Sequence, residues 1–238
     1  MYFTNYLSYL IFAAPVIILS LIAQAKVNGA YKKYSKVLNS RRLTGASAAQ
    51  LILNHYGITD VRIEPCNGKL TDHYSPNEKV IRLSQGVYNS STVAAVGIAC
   101  HEAGHAAQHA ENYLPNTIRT ALVPVTNFGS KFGLIIAFLG YFLAYLSNSG
   151  IGYYVIIVGL ALYGLVALFQ LVTLPVEFNA SRRALKVIDE SGILAGEEYD
   201  GAKKVLSAAA MTYVAALATA IVNLLYYALR LLGNSRRR

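Results

Sequence analysis

The chain has 238 residues, of which 55% are hydrophobic and only 14% are charged. With a mean hydropathy of +0.39, this composition excludes an ordinary soluble domain and predicts a protein that lies partly in a membrane. The net charge of +9 raises the question of nucleic acid, but the basic residues cluster beside apolar segments. This placement favours anionic lipid headgroups and gives no case for nucleic acid as a partner.

The first apolar segment, about residues 6–25, contains no charged residue and is long enough to cross a bilayer. Ala23-Gln24-Ala25 resembles a signal cleavage site, but no basic residue precedes the segment and several follow it. We therefore predict an uncleaved anchor over residues 1–25 with its C-terminal end in the cytoplasm. The basic residues that follow are Lys26, Lys32, Lys33, Lys36, Arg41 and Arg42.

The next segment is polar enough to lie in water, and we assign residues 26–120 to a cytosolic portion. A helix is predicted over residues 46–56, and short strands over residues 61–64 and 79–83. Residues 70–74 are expected to form an exposed edge strand, to which an extended substrate can add its own backbone. His73 and Tyr74 on that strand are candidate oxyanion donors, or ordinary loop residues.

This segment ends in the motif His101-Glu102-Ala103-Gly104-His105, within a helix predicted from about Thr92 to Ala110. Because residues four apart lie one helical turn apart on one face, His101 and His105 can both reach one zinc ion. Glu102 is positioned to take a proton from a water on the metal and to give it to the leaving amine. The motif predicts a zinc metallopeptidase; the alternative is a helix whose two histidines only pack or hydrogen-bond.

Two further apolar segments, about residues 132–146 and 151–174, flank a short uncharged turn at residues 147–150. We predict a transmembrane hairpin over residues 128–174. A hairpin returns the chain to the side that it left, and the basic residues on both sides of this region mark that side as cytoplasmic.

The motif needs a third protein ligand for zinc. His109 lies eight residues after His101, so their Cα atoms are expected about 12 Å apart along a helix, too far to share the ion. Glu111 would require an immediate turn of the chain, yet no glycine precedes it to make that turn.

Glu177 is the best candidate for the third ligand. It opens a helix predicted to begin just after Pro175, and the small residue Ala180 would let this helix approach the zinc helix closely. We assign residues 175–204 to a third-ligand helix and loop.

The last apolar segment, about residues 205–229, is long enough to cross the membrane. A crossing would place the arginines that follow it outside, against the positive-inside rule. The alternative is a helix packed on the catalytic portion or lying in the interface. We favour a crossing, and assign residues 205–238 to a C-terminal apolar helix and basic tail.

Four segments carry a resemblance to a known family. They are Asp72-His73-Tyr74-Ser75-Pro76, Val80-Ile81-Arg82-Leu83-Ser84, the His-Glu-Ala-Gly-His helix and Glu177-Phe178-Asn179-Ala180-Ser181-Arg182-Arg183-Ala184. Over nearly its whole length the chain resembles bacterial membrane-bound neutral zinc metallopeptidases of the YugP type. A looser similarity to HtpX and CAAX prenyl endopeptidases implies a third ligand from an E-x-x-A-D helix, although Ser181 stands where that pattern has aspartate.

We therefore predict a mostly α-helical, multi-pass membrane protein with a zincin-like α+β catalytic portion, built around the HExxH helix and an ExxAS helix. His101, His105 and Glu177 are expected to hold Zn²⁺ and Glu102 to act as base and acid, in a gluzincin-like hydrolysis of protein or peptide substrates. One alternative is a catalytically silent scaffold with structural zinc, against which the intact Glu102 argues. Another is a prenyl-protein endopeptidase, which should need a larger lipid-lined chamber than four or fewer spans enclose.

Overall fold

A computed structural model describes residues 2–146 and 150–235, which are mostly helical with one small sheet. The seven helices are α1 (Tyr2–Tyr34), α2 (Gly45–His55), α3 (Gln85–Tyr88), α4 (Val93–Ala110), α5 (Leu114–Leu146), α6 (Ile151–Glu190) and α7 (Glu197–Ser235). The three strands are β1 (Arg62–Cys66), β2 (His73–Ser75) and β3 (Val80–Ser84). The prediction of a mostly helical chain with a few short strands is confirmed.

Four helices, α1, α5, α6 and α7, are long and apolar enough to cross a membrane. Large apolar side chains such as Ile11, Leu139 and Tyr154 are exposed along them, as expected for helices surrounded by lipid. The chain is an integral membrane protein, and α7 contains the last apolar segment, whose role the sequence left open. The predicted hairpin turn at residues 147–149 and the arginines at 236–238 lie outside the described residues.

The expectation that a new helix begins after Pro175 is wrong, because α6 runs without a break from Ile151 to Glu190. A proline inside a helix removes one i to i−4 hydrogen bond, but apolar helices tolerate it when the residues on both sides continue to pack. Pro15 in α1 and Pro124 in α5 are further examples in this chain. Glu177 therefore lies in the interior of a long helix and not at a helix N-terminus.

The chain forms two compact units. The first contains α1 up to residue 22, residues 118–174 of α5 and α6, and α7 from residue 213. Within it, α5 and α6 pack backbone to backbone, since a Cβ atom on Gly133 would lie 3.0 Å from the carbonyl oxygen of Gly159. Small residues at such contacts allow apolar helices to approach each other closely in a membrane.

The second unit comprises residues 23–117 and 175–212. Its core contains the side chains of Ile52 and Leu53 on α2, Ile81 and Leu83 on β3, and many small residues of α4. Since none of these side chains is more than 2% exposed, this unit has a packed interior of its own.

The sheet of the second unit has the order β1-β3-β2, with β1 parallel and β2 antiparallel to β3. The central strand β3 is almost entirely buried, whereas β2 lies at the edge of the sheet. The edge strand expected at residues 70–74 is therefore present but shifted to His73–Ser75. The shift has a local cause: Leu70 has a φ of 57°, which no strand residue adopts.

Candidate metal centre

Helix α4 carries the two histidines and the glutamate of the motif. The hydroxyl oxygen of Thr92 accepts a hydrogen bond from the backbone N–H of Ala95 at 3.3 Å and caps the helix. His105 follows His101 by four residues, so both side chains lie on the same face of the helix. The centroids of their rings lie 4.7 Å apart, with the ring planes at 82°, so the imidazoles converge without stacking.

Glu177 on α6 meets both imidazoles. Its Oε2 atom lies 3.3 Å from Nε2 of His101 and 3.6 Å from Nε2 of His105. One ligand atom from each of the three residues lies within 4.8 Å of the others, so the group could hold a metal ion. Ligand atoms about 2.1 Å from a tetrahedral zinc are about 3.4 Å from one another. Two nitrogens and one carboxylate oxygen at this spacing fit zinc.

Gly104, inside the motif, allows α6 to come this close. A Cβ atom at this position would lie 2.5 Å from the carbonyl oxygen of Ala180, well inside any real contact. The two helices therefore touch through backbone, and Glu177 lies about one helical turn before the point of contact. Sequence analysis identified Ala180 as the residue permitting close approach but did not identify Gly104 as its counterpart.

Each imidazole is oriented through its second ring nitrogen. Nδ1 of His101 lies 3.0 Å from the hydroxyl of Ser181, and Nδ1 of His105 lies 3.0 Å from Oε1 of Gln108. These bonds direct both Nε2 atoms toward Glu177. Ser181, which stands where the E-x-x-A-D pattern has aspartate, thus provides a neutral partner for His101.

Gln108 was missed by the sequence analysis. It is fully buried, and its Nε2 donates to the carbonyl oxygen of Val176 at 2.8 Å and to Oδ1 of Asn179 at 2.9 Å. The available signal was a large polar residue three positions after His105, directly after Ala106 and Ala107 on the same helix. Such a residue must find buried partners.

Glu102 is buried on α4, with 9% of its surface exposed. Burial raises the pKa of its carboxyl to about 7, against the opposing effect of His101 and with a further increase from the charges of Glu177 and Asp72. The backbone N–H of Tyr74 donates a hydrogen bond that acts to lower this pKa. The edge strand β2 therefore passes directly beside the carboxyl group of the motif.

Side-chain contacts hold β2 in place. The carboxylate of Asp72 accepts hydrogen bonds from the backbone N–H of Ser84 at 2.7 Å and from its hydroxyl at 3.0 Å. The hydroxyl of Tyr74 lies 2.8 Å from Nδ1 of His109, and Nδ1 of His73 lies 2.8 Å from the carbonyl oxygen of Thr71. Both candidate oxyanion donors are thus engaged in contacts within the second unit.

The residues set aside as third ligands lie elsewhere. His109 is exposed and contacts Tyr74, and Glu111 is exposed and forms an ion pair with Arg183, whose NH1 lies 2.6 Å from its Oε2. Cys100, next to His101 in sequence, is buried in the core, where desolvation raises the pKa of its thiol. Cys100 therefore contributes packing.

Comparisons with known proteins show similarity to zinc peptidases and membrane proteases. A family model described as "Putative neutral zinc metallopeptidase" matches residues 9–232. A relative from Bacillus subtilis (strain 168), described as "Putative membrane protease YugP", is 44% identical over 209 residues, which cover 88% of this chain and 90% of that protein. No solved structure matches the chain. The matched residues include the metal centre and the apolar parts of all four long helices.

Proposed function

Because this chain belongs to the family described as "Putative neutral zinc metallopeptidase", we propose that it is a gluzincin-like endopeptidase that cleaves protein substrates at the cytosolic face of the membrane. Zinc is the cofactor that the family implies, and the donor set described above fits it. The observation that carries the proposal is the convergence of Glu177 on His101 and His105, from a helix distant in sequence.

In this proposal, His101, His105 and Glu177 hold the metal through Nε2, Nε2 and a carboxylate oxygen. Bound zinc supplies Lewis acidity that makes water nucleophilic near neutral pH. Glu102 accepts a proton from the attacking water and donates it to the amine nitrogen of the leaving peptide. Its burial and its place on the same helix as the two histidines keep the carboxyl close to the reacting atoms.

The substrate is proposed to bind in extended form along β2. An edge strand can pair with the backbone of a peptide of any sequence, and β2 lies at the sheet edge. Because the backbone N–H of Tyr74 bonds to Glu102, a peptide near this strand lies close to the proposed base.

We propose that residues 26–120 and 175–204 form the catalytic portion on the cytosolic side. The anchor at residues 1–25, the hairpin at residues 128–174 and the segment 205–238 then hold it at the membrane. The support is the distribution of basic residues, which are frequent in both segments of the catalytic portion and absent near the hairpin tip.

A catalytically silent scaffold with structural zinc fits the site less well. Structural zinc sites usually have four protein ligands, whereas the group found among residues 2–146 and 150–235 has three. A position left for water is what a catalytic zinc requires.

The test compares zinc content and casein cleavage by purified protein in detergent. Glu102→Gln should retain zinc and lose cleavage, while Glu177→Ala should lose both zinc and cleavage. Glu111→Ala is the matched control, because it removes a nearby exposed glutamate and should leave both properties intact. Unchanged hydrolysis by Glu102→Gln would end the proposal, and full zinc occupancy in Glu177→Ala would remove Glu177 from the ligand set.

A further inference from the structure

A cavity in the second unit lies between α1 and the first turns of α7, and shares no lining residue with the candidate metal centre. Its volume is about 560 Å³. Three lysines line it, Lys26 on α1 and Lys203 and Lys204 on α7, together with one carboxylate, Asp200. The cavity therefore presents three positive charges and one negative charge.

These lysines differ from other lysines on this chain. Lys79 pairs with Asp60 at 2.5 Å, and Lys186 pairs with Glu190 at 3.8 Å. In the part of the chain that the structure describes, the three cavity lysines form no ion pair within 4.0 Å and are exposed. Their positive charge is thus available to a ligand.

The cavity lies where the apolar parts of two membrane helices end. Lys26 directly follows the uncharged segment of α1, and Lys203 and Lys204 directly precede the uncharged segment of α7. The lining also includes Ser207 and, further along α7, Met211. Along α7 the lining therefore changes from charged residues at 200–204 to the apolar Met211, so this helix gives the cavity a cationic end and an apolar end.

We propose that this cavity binds the headgroup of an anionic phospholipid. The phosphate lies between the three ammonium groups, and the glycerol and the first acyl carbons lie along Met211. Phospholipid phosphates are concentrated at the boundary where charged residues follow an apolar helix. A zwitterionic lipid fits less well, because its own cationic group would meet the lysines.

The test is lipid binding by the full-length protein in detergent, measured by native mass spectrometry with phosphatidylglycerol and with phosphatidylcholine. The variant Lys26→Gln/Lys203→Gln/Lys204→Gln removes the cavity charge. The control Lys32→Gln/Lys33→Gln/Lys36→Gln removes the same number of charges from residues that do not line the cavity. Wild type and control should prefer phosphatidylglycerol, and the cavity variant should bind it about ten-fold more weakly.

An equal loss of affinity in the control variant, or none in the cavity variant, would overturn the proposal. So would equal binding of the two lipids by wild type. Inorganic phosphate added alone should compete poorly, since it cannot use the apolar end; competition as strong as that of the lipid would mark a free-phosphate site instead. If the triple variant does not fold, Lys203→Gln should still lower affinity about two-fold, with zinc content unchanged.

Discussion

Nε2 of Gln108 donates to the carbonyl oxygen of Val176 at 2.8 Å, which ties α4 to α6 one residue before Glu177. Oε1 of the same side chain accepts a hydrogen bond from Nδ1 of His105. One buried carboxamide thus fixes the ring orientation of one proposed ligand and the distance of the helix that carries another. The relationship makes Gln108 a positioning residue for the metal centre.

Gln108→Ala should lower zinc affinity by about 10- to 100-fold, as losses of such ligand partners do. The variant also leaves Nδ1 of His105 without its hydrogen-bond partner in a largely buried site, which costs about 1–3 kcal/mol of folding free energy. Zinc affinity is measured by competition with a chromophoric chelator. The control is Gln50→Ala, which removes an exposed glutamine bonded to Asn54 on α2 and should change neither quantity appreciably.

Gly104→Ala should destabilise the protein by about 1–3 kcal/mol and reduce zinc occupancy, because the added methyl group meets backbone and forces α4 and α6 apart. Thermal unfolding and zinc content measure the two effects. Gly29→Ala in α1 is the matched control, since nothing lies within 4 Å of its Cβ position. A Gly104→Ala protein with wild-type stability would show that the close contact with Ala180 is not required.

Ser181→Ala should lower zinc affinity about ten-fold by removing the hydrogen bond to Nδ1 of His101. Ser181→Asp should keep affinity at or above that of wild type, because a carboxylate at this position can also accept from the imidazole. Chelator competition distinguishes the two variants. Equal losses in both would show that the hydroxyl contributes packing and not orientation.

Asp72→Ala should lower the free energy of unfolding by about 1–3 kcal/mol, because it leaves the backbone N–H of Ser84 without its acceptor. Asp72→Asn retains an acceptor oxygen and should lose less. Chemical denaturation gives the two values. The expected accompanying change is weaker casein cleavage by Asp72→Ala at unchanged zinc content. The segment leading into β2 loses its side-chain bonds to Ser84 on β3, while the three proposed ligand residues are untouched.

Much of the fold could be predicted because the signals are local. The motif helix, the short alternating strands and the apolar segments all depend on residues close together in sequence. The third ligand could be proposed because Glu177 follows a predicted hairpin that returns the chain, and its closeness to His101 and His105 is what the structure shows.

Other features depend on contacts that no local pattern encodes. Pro175 is a common helix start, and only the packing on both sides shows that α6 continues through it. The roles of Gln108 and Gly104 at the candidate metal centre depend on the packing of α6 against α4. The atoms that they contact belong to residues about 70 positions away in sequence. The sequence therefore identifies the candidate zinc ligands more readily than the residues that position those ligands.

The shortness of β2 limits how a substrate can be recognised. Three residues span about 10 Å, so a peptide aligned with this strand gains a ladder of about three residues and little affinity from its backbone alone. Selection among proteins must then come from elsewhere. For the proposed peptidase, confinement of enzyme and substrate to the same bilayer would raise their effective concentration without any added contact. This would favour membrane-anchored substrates over freely diffusing ones.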